Sequence, residues 1–597
     1  MATSNETILS RLADWAKQAP TSAALYHRQD NEWKAISAKQ YWESVTAIAF
    51  FLGQKGFGSE DIITILSYNC PAWPMSELGA ILAGGCSAGI YPNVVAKDVQ
   101  YVLNHTQSRF FAVQNEDYFN KLGEFRESIL AQVKVILVFE GSTHFSDKAI
   151  SFHDAVAQGR ALMTEKKVVD YLQAVDPQRP AFLIYTSGTT GTPKGAMISN
   201  HNFIFTIDQV RKHWDLPVAG SLFSFLPLCH IAEKLQSIAA GISCRYATYY
   251  CSAFEFVSEE LPQVQPSLLL AVPRVWEKMV EGVQLKISQM HPVQKNLVTL
   301  AFAHAEHLLH YQMQGKPLSP FMLARKFVFD KLIFSKIRHQ LGLAKIEVAA
   351  CGAGALSQQV WHFFQTIGVE IQEDFGQTES TGVICMTKRG TFSMGLTGIP
   401  VGQIEVSIAA DGEIRTRGPH VFLGYYKDPT RDFLDDNHWL KTGDIGEWTA
   451  DGQLKIIGRK REILKTSGGK MIAPVPIEEK IKMSPLISQA CMVGDQKKFP
   501  AVLIVPSEKF FDEMKRENVS YETDRNGVIV NPILRARIKT EIDRINQELS
   551  HYEQVKDFVL LSNEFTIARG ELTPTLKLKR FVIEQHYDKV ISEIYAA

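Results

Sequence analysis

Little limits the fold of this chain as firmly as its rhythm, in which short β-rich runs alternate with helical patterns. Residues 62–67, 133–139, 182–185, 268–272 and 346–349 each read as a strand. Such alternation is the signature of sheets covered by helices, an α/β fold. At 597 residues the chain has room for more than one compact unit. Between about residues 291 and 341 strand candidates give out and the pattern turns helical and more polar, which predicts a helical insertion in the large domain. The stretch 458–470 gathers basic residues and glycines, and residues 461–597 beyond its start read as a separate small α+β unit. In that unit Ile538, Ile542, Ile545, Leu549 and Tyr552 recur at spacings of four, three, four and three, one face of an amphipathic helix. A strand at 558–561 follows. The expected organisation is a large multi-subdomain core of sheets and helices, 1–460, and a small C-terminal α+β unit, 461–597.

Charge and cysteine usage exclude several classes of function. Lysine and arginine total 63 against 64 acidic residues, so no global field draws the chain to nucleic acid or to an anionic membrane. The eight cysteines include no CxxC pair, which argues against a disulfide framework or zinc ribbon and suits a reducing compartment. No long apolar stretch follows a basic start at the N-terminus, so a signal peptide is not expected. The blandest segment, 78–90, falls short of the about 20 apolar residues that span a bilayer. A soluble cytoplasmic protein is expected.

The strongest chemical signal is the loop 185–195, Tyr-Thr-Ser-Gly-Thr-Thr-Gly-Thr-Pro-Lys-Gly. Small residues let backbone approach an anion, the hydroxyls of Thr186, Ser187, Thr189 and Thr190 can donate to phosphate oxygens, and Lys194 supplies positive charge. It is not a GxxxxGK[ST] loop, because Gly188 and Gly191 are three apart and a strand-like run, 196–199, follows where that loop needs a helix. A hydroxyl- and glycine-rich stretch alone would read as a flexible linker, but the flanking strands and the Pro-Lys-Gly ending oppose that here. Two other strings are decoys. Gly85-Cys-Ser-Ala-Gly89 matches GxSxG, yet a helical pattern precedes the serine and a strand or turn follows, the reverse of a nucleophile elbow; close helix packing explains its glycines better. Gly352-Ala-Gly354 opens like a dinucleotide loop but has Ser357 in place of the third glycine. His304, His307 and His310 sit three apart without HExxH or a carboxylate partner and read as a solvated helix face, not a metal site. The basic cluster 459–470 lacks interleaved aromatics, so it is no nucleic-acid patch.

Five motifs in register carry a resemblance that spans nearly the whole chain. The loop 185–195, Asp374-Phe-Gly-Gln-Thr-Glu379, Lys441-Thr-Gly-Asp444 and Gly458-Arg459, with the lysine-bearing string 571–580 near the C-terminus, resemble the adenylate-forming superfamily of acyl-CoA synthetases, luciferases and peptide-synthetase adenylation domains. The strings 226–233, with His230 and Glu233, 271–278, and Glu571-Leu-Thr-Pro-Thr-Leu-Lys577-Leu-Lys-Arg580 look like the long-chain fatty acyl-CoA synthetases, particularly their bubblegum-like and bacterial branch.

That resemblance implies ATP-dependent activation of a long-chain fatty acid. The carboxylate attacks the α-phosphate, pyrophosphate leaves, and a thiol of CoA displaces AMP from the acyl-adenylate. By resemblance, Thr186 and Glu379 hold Mg2+, and Ser187, Gly188, Thr189, Thr190, Gly191 and Lys194 cradle the β- and γ-phosphates. Gly352, Ala353, Gly354 and Phe375 form the adenine slot, with Phe375 where most relatives have tyrosine, and Asp374 and Gly376 beside it belong to the nucleotide-binding set. Thr378 donates to the α-phosphate, Asp444 accepts from the ribose hydroxyls beside Arg459, and Lys465 contacts phosphate. His230 places the acyl carboxylate and the thiol, and Ser467, Gly468 and Gly469 line the pantetheine tunnel. Lys577 matches the adenylation lysine. Leu576 replaces a common glycine there, and Lys579 offers a second register, but Arg580 three residues on favours Lys577. Arg461 stands at the hinge, where the family usually has aspartate or lysine, and makes 461–597 a mobile lid.

The rivals are an amino-acid-activating domain, a fatty acyl-AMP ligase that serves a carrier protein, and a catalytically dead scaffold. Only 20 residues follow Lys577, so no fused carrier is expected, and the string 226–233 has the fatty-acid form. Intact Lys577, Glu379 and Asp444 oppose a dead scaffold. An insoluble substrate favours peripheral contact with a membrane, although no amphipathic anchor or lipidation signal stands out. Chain-length preference and oligomeric state stay open.

Overall fold

A computed structural model describes residues 6–186, 192–573 and 577–596. Two large sheets organise the core. In the first, Ala149–Ser151, Val135–Val138, Phe110–Val113, Ile62–Leu66, Cys86–Ile90 and Pro180–Thr186 run parallel in that spatial order, and Lys194–Ser199 closes the edge antiparallel. In the second, the parallel centre is Tyr246–Tyr250, Gly220–Ser224, Leu268–Ala271, Val348–Cys351 and Ile371–Phe375. Parallel strands covered on both faces read as unbroken apolar runs, and every residue of Ile62–Leu66 is buried. The helices Ala38–Gln54, Ala72–Leu82 and Asn200–Trp214 share one apolar cluster with both sheets.

The expected strands all occur, with ends shifted by up to two residues. The largest shift is at 346–349, where the strand is Val348–Cys351. The C-terminal helix is shorter than its periodicity suggests: it spans Pro532–Asn546, and Leu549 and Tyr552 lie beyond it. Asn546 stops it, because its side chain exchanges two hydrogen bonds with the backbone of Val555 at 2.9 Å each and turns the chain back. Ile538, Ile542 and Ile545 are buried, Leu549 packs at the edge, and Tyr552 is exposed.

An antiparallel sheet of Glu405–Ile408, Glu413–Arg417, Leu440–Trp448 and Leu454–Arg459 leads to the C-terminal unit. That unit has its own sheet, Ile487–Val493, Ala501–Pro506 and Asp557–Leu560, with Pro474–Lys482 and Pro532–Asn546 sharing one apolar cluster and Arg580–His586 and Asp588–Ala596 the other. Its two apolar clusters use residues from Leu464 onward, and the three clusters of the core reach no further than Ile456. The helical insertion comprises Pro292–Met313, Pro320–Phe329, Asp330–Phe334 and Ser335–Gln340. It is less polar on its outside than its sequence suggests, since Phe321, Phe327 and Val293 are among the most exposed large apolar residues described. Among the described residues no helix is long and apolar enough to cross a membrane.

Candidate active site

The motifs sit at the carboxyl ends of parallel strands, where ligands bind open α/β sheets. Thr186 ends Pro180–Thr186, His230 lies beyond Gly220–Ser224, Gly352 follows Val348–Cys351, and Gly376 follows Ile371–Phe375. Ser187, Gly188, Thr189, Thr190 and Gly191 lie outside the described residues. What flanks them is fixed: Thr186 pairs with Lys194 across the antiparallel hairpin. The Lys194 ammonium is 3.0 Å from Asp428 and 4.9 Å from the centre of the Tyr425 ring. Tyr425 pairs with Ala196 and donates its hydroxyl to Glu379 Oε1 at 2.6 Å. Thr186, Lys194 and Glu379 are therefore linked through Tyr425, although they are far apart in sequence.

Two glycines mark close approaches. A Cβ on Gly352 would lie 2.6 Å from the Asp374 carboxylate, and one on Gly376 would lie 2.2 Å from the Gly382 carbonyl oxygen. Ala353 between the first pair has φ of +65°, and Phe375 is buried at the strand end. Asp374 Oδ1 is buried with no partner, and burial followed by the charge of Glu373 raises its pKa to about 7. Thr378 is buried in the short helical turn Thr378–Ser380.

The antiparallel sheet brings Asp444 opposite Arg459. Arg459 Nε is 2.9 Å from Asp444 Oδ1, while the buried Oδ2 has no hydrogen-bond partner. Burial raises the Asp444 pKa to about 6, against the opposing pull of Arg459 and then of Lys577. Lys577 lies at the end of a narrow hairpin: Thr573 donates its N–H to the Lys577 carbonyl, Lys577 returns one to Thr573 Oγ1, and Leu572 bridges Leu578. Desolvation and the charge of Arg459 lower its pKa, and Asp444 and Glu462 oppose them. The same ammonium is felt at His230, whose pKa falls to about 4 through burial and then Lys577. His230 Nδ1 accepts the Ala232 N–H at 3.2 Å, which places the ring proton on Nε2. The Lys577 charge adds to the lowering of the pKa at both Asp444 and His230. Arg580 is a structural anchor in the C-terminal unit, buried against Glu478 at 2.7 Å.

Lys465, Ser467, Gly468 and Gly469 share no described hydrogen bond or ion pair with this cluster. Lys465 pairs its backbone N–H with Asp495, Ser467 pairs its own with the Lys497 carbonyl, and Gly468 and Gly469 stand in an exposed turn before Met471–Ile472. A Cβ on Gly469 would meet nothing within 4 Å. Arg461 occupies an exposed turn, next to Lys460, which is tied to the core through Asp411 and Glu413 at 2.7 and 2.8 Å.

Tyr425 and Asp428 were invisible as site residues in the sequence, because each is placed by long-range pairing, with Glu379 and with Lys194; Glu462 was hidden because it acts on Lys577 through its charge. Asn69 is another: it holds the loop before His230 through Ser224 Oγ, the Leu226 carbonyl and the Leu228 N–H. The decoys resolve structurally. Ser87 lies in Cys86–Ile90, buried, and donates to Glu77 Oε1 at 2.6 Å, so it is no exposed nucleophile. The expected solvated face fails at His304, which edges onto Phe329 with its Nε2 buried and without a hydrogen-bond partner, while His310 bonds Gln314.

Fold and site together define an enzyme of the adenylate-forming type. The family model of AMP-binding enzymes matches residues 12–426 and that of the AMP-binding enzyme C-terminal domain matches 461–597. The chain belongs to the AMP-binding enzymes, a family that uses ATP and CoA as substrates. It is 32% identical to long-chain-fatty-acid–CoA ligase ACSBG2 of Rattus norvegicus, over 96% of this chain and 90% of that one. Against FadD15 of Mycobacterium tuberculosis, also a long-chain-fatty-acid–CoA ligase, identity is 29% over 95% and 93%. Among solved structures, the adenylation domain of a carboxylate reductase from Mycobacterium chelonae superposes with a TM-score of 0.78 at 20% identity, covering 100% of this chain and 92% of that one. An anthranilate CoA ligase in complex with anthranoyl-AMP gives 0.72 at 17% identity, covering 99% of each chain.

Proposed function

We propose that this chain is an AMP-forming long-chain fatty acid–CoA ligase. The observation that carries this reading is Lys577, whose charge reaches His230 on one side and the Asp444–Arg459 pair on the other. An ammonium so placed suits a fatty carboxylate meeting the α-phosphate of ATP, where two anions approach and negative charge must be offset. Asp444 accepts the ribose hydroxyls through its unpartnered Oδ2, and Gly352, Ala353, Gly354 and Phe375 form the adenine slot, with Asp374 and Gly376 beside it. Thr378 donates to the α-phosphate, and the loop 187–191 with Lys194 takes the outer phosphates. Neutral His230 offers Nε2–H to the fatty carboxylate without adding a second positive charge beside Lys577.

Mg2+ fits the oxygen donors at Thr186 and Glu379, because this hard cation is held by one or two carboxylates together with substrate phosphates. When bound, it offsets phosphate charge. In the reaction a carboxylate oxygen bonds to the α-phosphorus as the bond to pyrophosphate breaks. The CoA sulfur then bonds to the acyl carbon, and AMP and a proton leave. For that second step the lid, 461–597, turns about Arg461, withdraws Lys577 and presents Lys465 and Ser467, Gly468 and Gly469 to the pantetheine arm. That Lys577 and the turn 467–469 both belong to the one C-terminal unit supports this.

Incubation with ATP, Mg2+, CoA and palmitate should give palmitoyl-CoA, AMP and pyrophosphate in equal amounts. Pyrophosphate release with no thioester on addition of CoA would point instead to a fatty acyl-AMP ligase serving a carrier protein.

A further inference from the structure

The loop 225–229 carries the chain from the end of Gly220–Ser224 to His230 and the helical turn Ile231–Glu233. An irregular connection has no ladder of its own, so its backbone groups must find partners elsewhere. Two of them find one side chain. Asn69 Nδ2 donates to the Leu226 carbonyl at 2.6 Å, and Asn69 Oδ1 accepts the Leu228 N–H at 3.1 Å. The same Nδ2 donates to Ser224 Oγ at 2.9 Å, at the strand end from which the loop departs. A carboxamide can do this because it carries donors and an acceptor side by side. The His230 N–H in turn donates to the Pro227 carbonyl at 2.9 Å, so the histidine is tied to the segment that Asn69 holds.

Asn69 reaches this loop from the other sheet. It lies just beyond Ile62–Leu66, whose neighbour Cys86–Ile90 pairs with Pro180–Thr186, the strand that leads into the phosphate loop. The loop 225–229 also rests on that sheet directly, because a Cβ on Gly89 would lie 2.8 Å from Cys229 Cβ. Two contacts therefore register His230 against the sheet that bears Thr186. The direction of the imidazole is set inside the turn, where Nδ1 accepts the Ala232 N–H. Its place relative to the nucleotide is set from outside, by Asn69.

We propose that Asn69 is a positioning residue for the fatty-acid side of the site: it holds His230 where Nε2–H meets the fatty carboxylate, and it takes no part in binding ATP. The proposal rests on the fatty acid–CoA ligase reading. Its test is steady-state pyrophosphate release with palmitate, with thermal unfolding of every variant alongside. A misplacement of about 1 Å can cost about 100-fold, so Asn69→Ala should lower kcat/KM for palmitate by about 10- to 100-fold and leave KM for ATP within about twofold. Asn69→Asp keeps the size and the acceptor for Leu228 but turns a carboxylate oxygen on the Leu226 carbonyl, and it should lose as much. Asn69 is half-buried, so neither change empties a core position. In a His230→Ala background, Asn69→Ala should add less than about twofold, because the group it positions is gone. Losses that multiply in the double variant, with a lowered melting temperature, would make Asn69 a packing residue and overturn the proposal. So would Asn69→Asp at wild-type rates, or a rise in KM for ATP equal to that for palmitate. A wild type that releases no pyrophosphate with palmitate would overturn the ligase reading and this proposal with it, whereas an active wild type with multiplying losses overturns the role of Asn69 alone.

Discussion

The nucleotide side of the site and the lid side are built in opposite ways. On the core, three charged groups are already held: Asp444 by Arg459, Glu379 by Tyr425, Lys194 by Asp428. On the lid, Lys577 hangs from a narrow hairpin, and Ser467, Gly468 and Gly469 sit in an exposed turn that shares no described bond with it. Held groups suit a ligand that stays through both half-reactions; loosely anchored ones suit a part that must leave. Substitutions on the two sides should therefore differ in kind as well as size: core changes around the nucleoside should act wherever the nucleotide is bound, core changes at the metal ligands only where pyrophosphate leaves, and changes in the C-terminal unit in one half-reaction only.

The largest effect is expected at Lys577. Lys577→Ala should slow pyrophosphate release by about 100- to 1,000-fold, the value of one charged transition-state contact worth about 3–4 kcal/mol. CoA transfer from supplied acyl-adenylate should be nearly untouched. Equal losses in both half-reactions would erase the contrast between core and lid.

Asp444→Asn is the counterpart on the core. Hydrogen bonds to a charged group contribute about 1.5–3 kcal/mol, so apparent ATP affinity should fall about 10- to 100-fold. Unlike the lysine change, this one should also weaken binding of supplied acyl-adenylate. The pH dependence has a definite sign. Burial raises the Asp444 pKa to about 6, so acid converts its carboxylate to the neutral form as pH falls through that value. Wild-type kcat/KM for ATP should drop on the acid side near pH 6, and that limb should be missing in Asp444→Asn. His230 contributes no limb there, since with its pKa near 4 it is neutral throughout. A limb that persists in the variant would assign it to another group.

Arg461 is the proposed hinge between the two sides. Arg461→Pro fixes φ and removes an N–H, so the lid should favour one pose and one half-reaction should fall by about tenfold while the other is kept. Arg461→Lys should change neither. Single-turnover assays of each step separate the outcomes, and wild-type rates for both in the proline variant would move the hinge elsewhere.

How legible each part was depends on how local its cause is. The strand Ile62–Leu66 was readable because five consecutive buried residues leave few alternatives. The Thr-Gly-Asp444 and Gly458-Arg459 strings were readable as motifs of the resembled family, and their facing positions on adjacent strands came from the structure. The helix end at Asn546 was not, because the apolar period runs on past it and the stop comes from a side chain bonding nine residues ahead. Tyr425 was hidden for a stronger reason: its partner Glu379 is 46 residues away, and the bridge that aims it, to Ala196, crosses most of the core. The insertion was read as polar because its many lysines dominate the composition. Which apolar residues face outward is decided by how its helices rest on each other, and no local pattern carries that.

Tyr425 supplies the finest test of a core held in advance. Its hydroxyl occupies one oxygen of Glu379 at 2.6 Å, and its ring lies under the Lys194 ammonium. Tyr425→Phe keeps the ring and removes only the hydroxyl. A single intramolecular hydrogen bond is worth about 0.5–1.5 kcal/mol, so the change should be a few-fold. If the hydroxyl serves to aim the carboxylate, the loss should appear as a higher Mg2+ requirement in pyrophosphate release, recovered at higher Mg2+, while transfer from supplied acyl-adenylate proceeds normally. A Tyr425→Phe enzyme with unchanged Mg2+ dependence and lowered thermal stability would make the contact a packing bond between Glu379 and the core. The contrast would then rest on Asp444 and Arg459 alone.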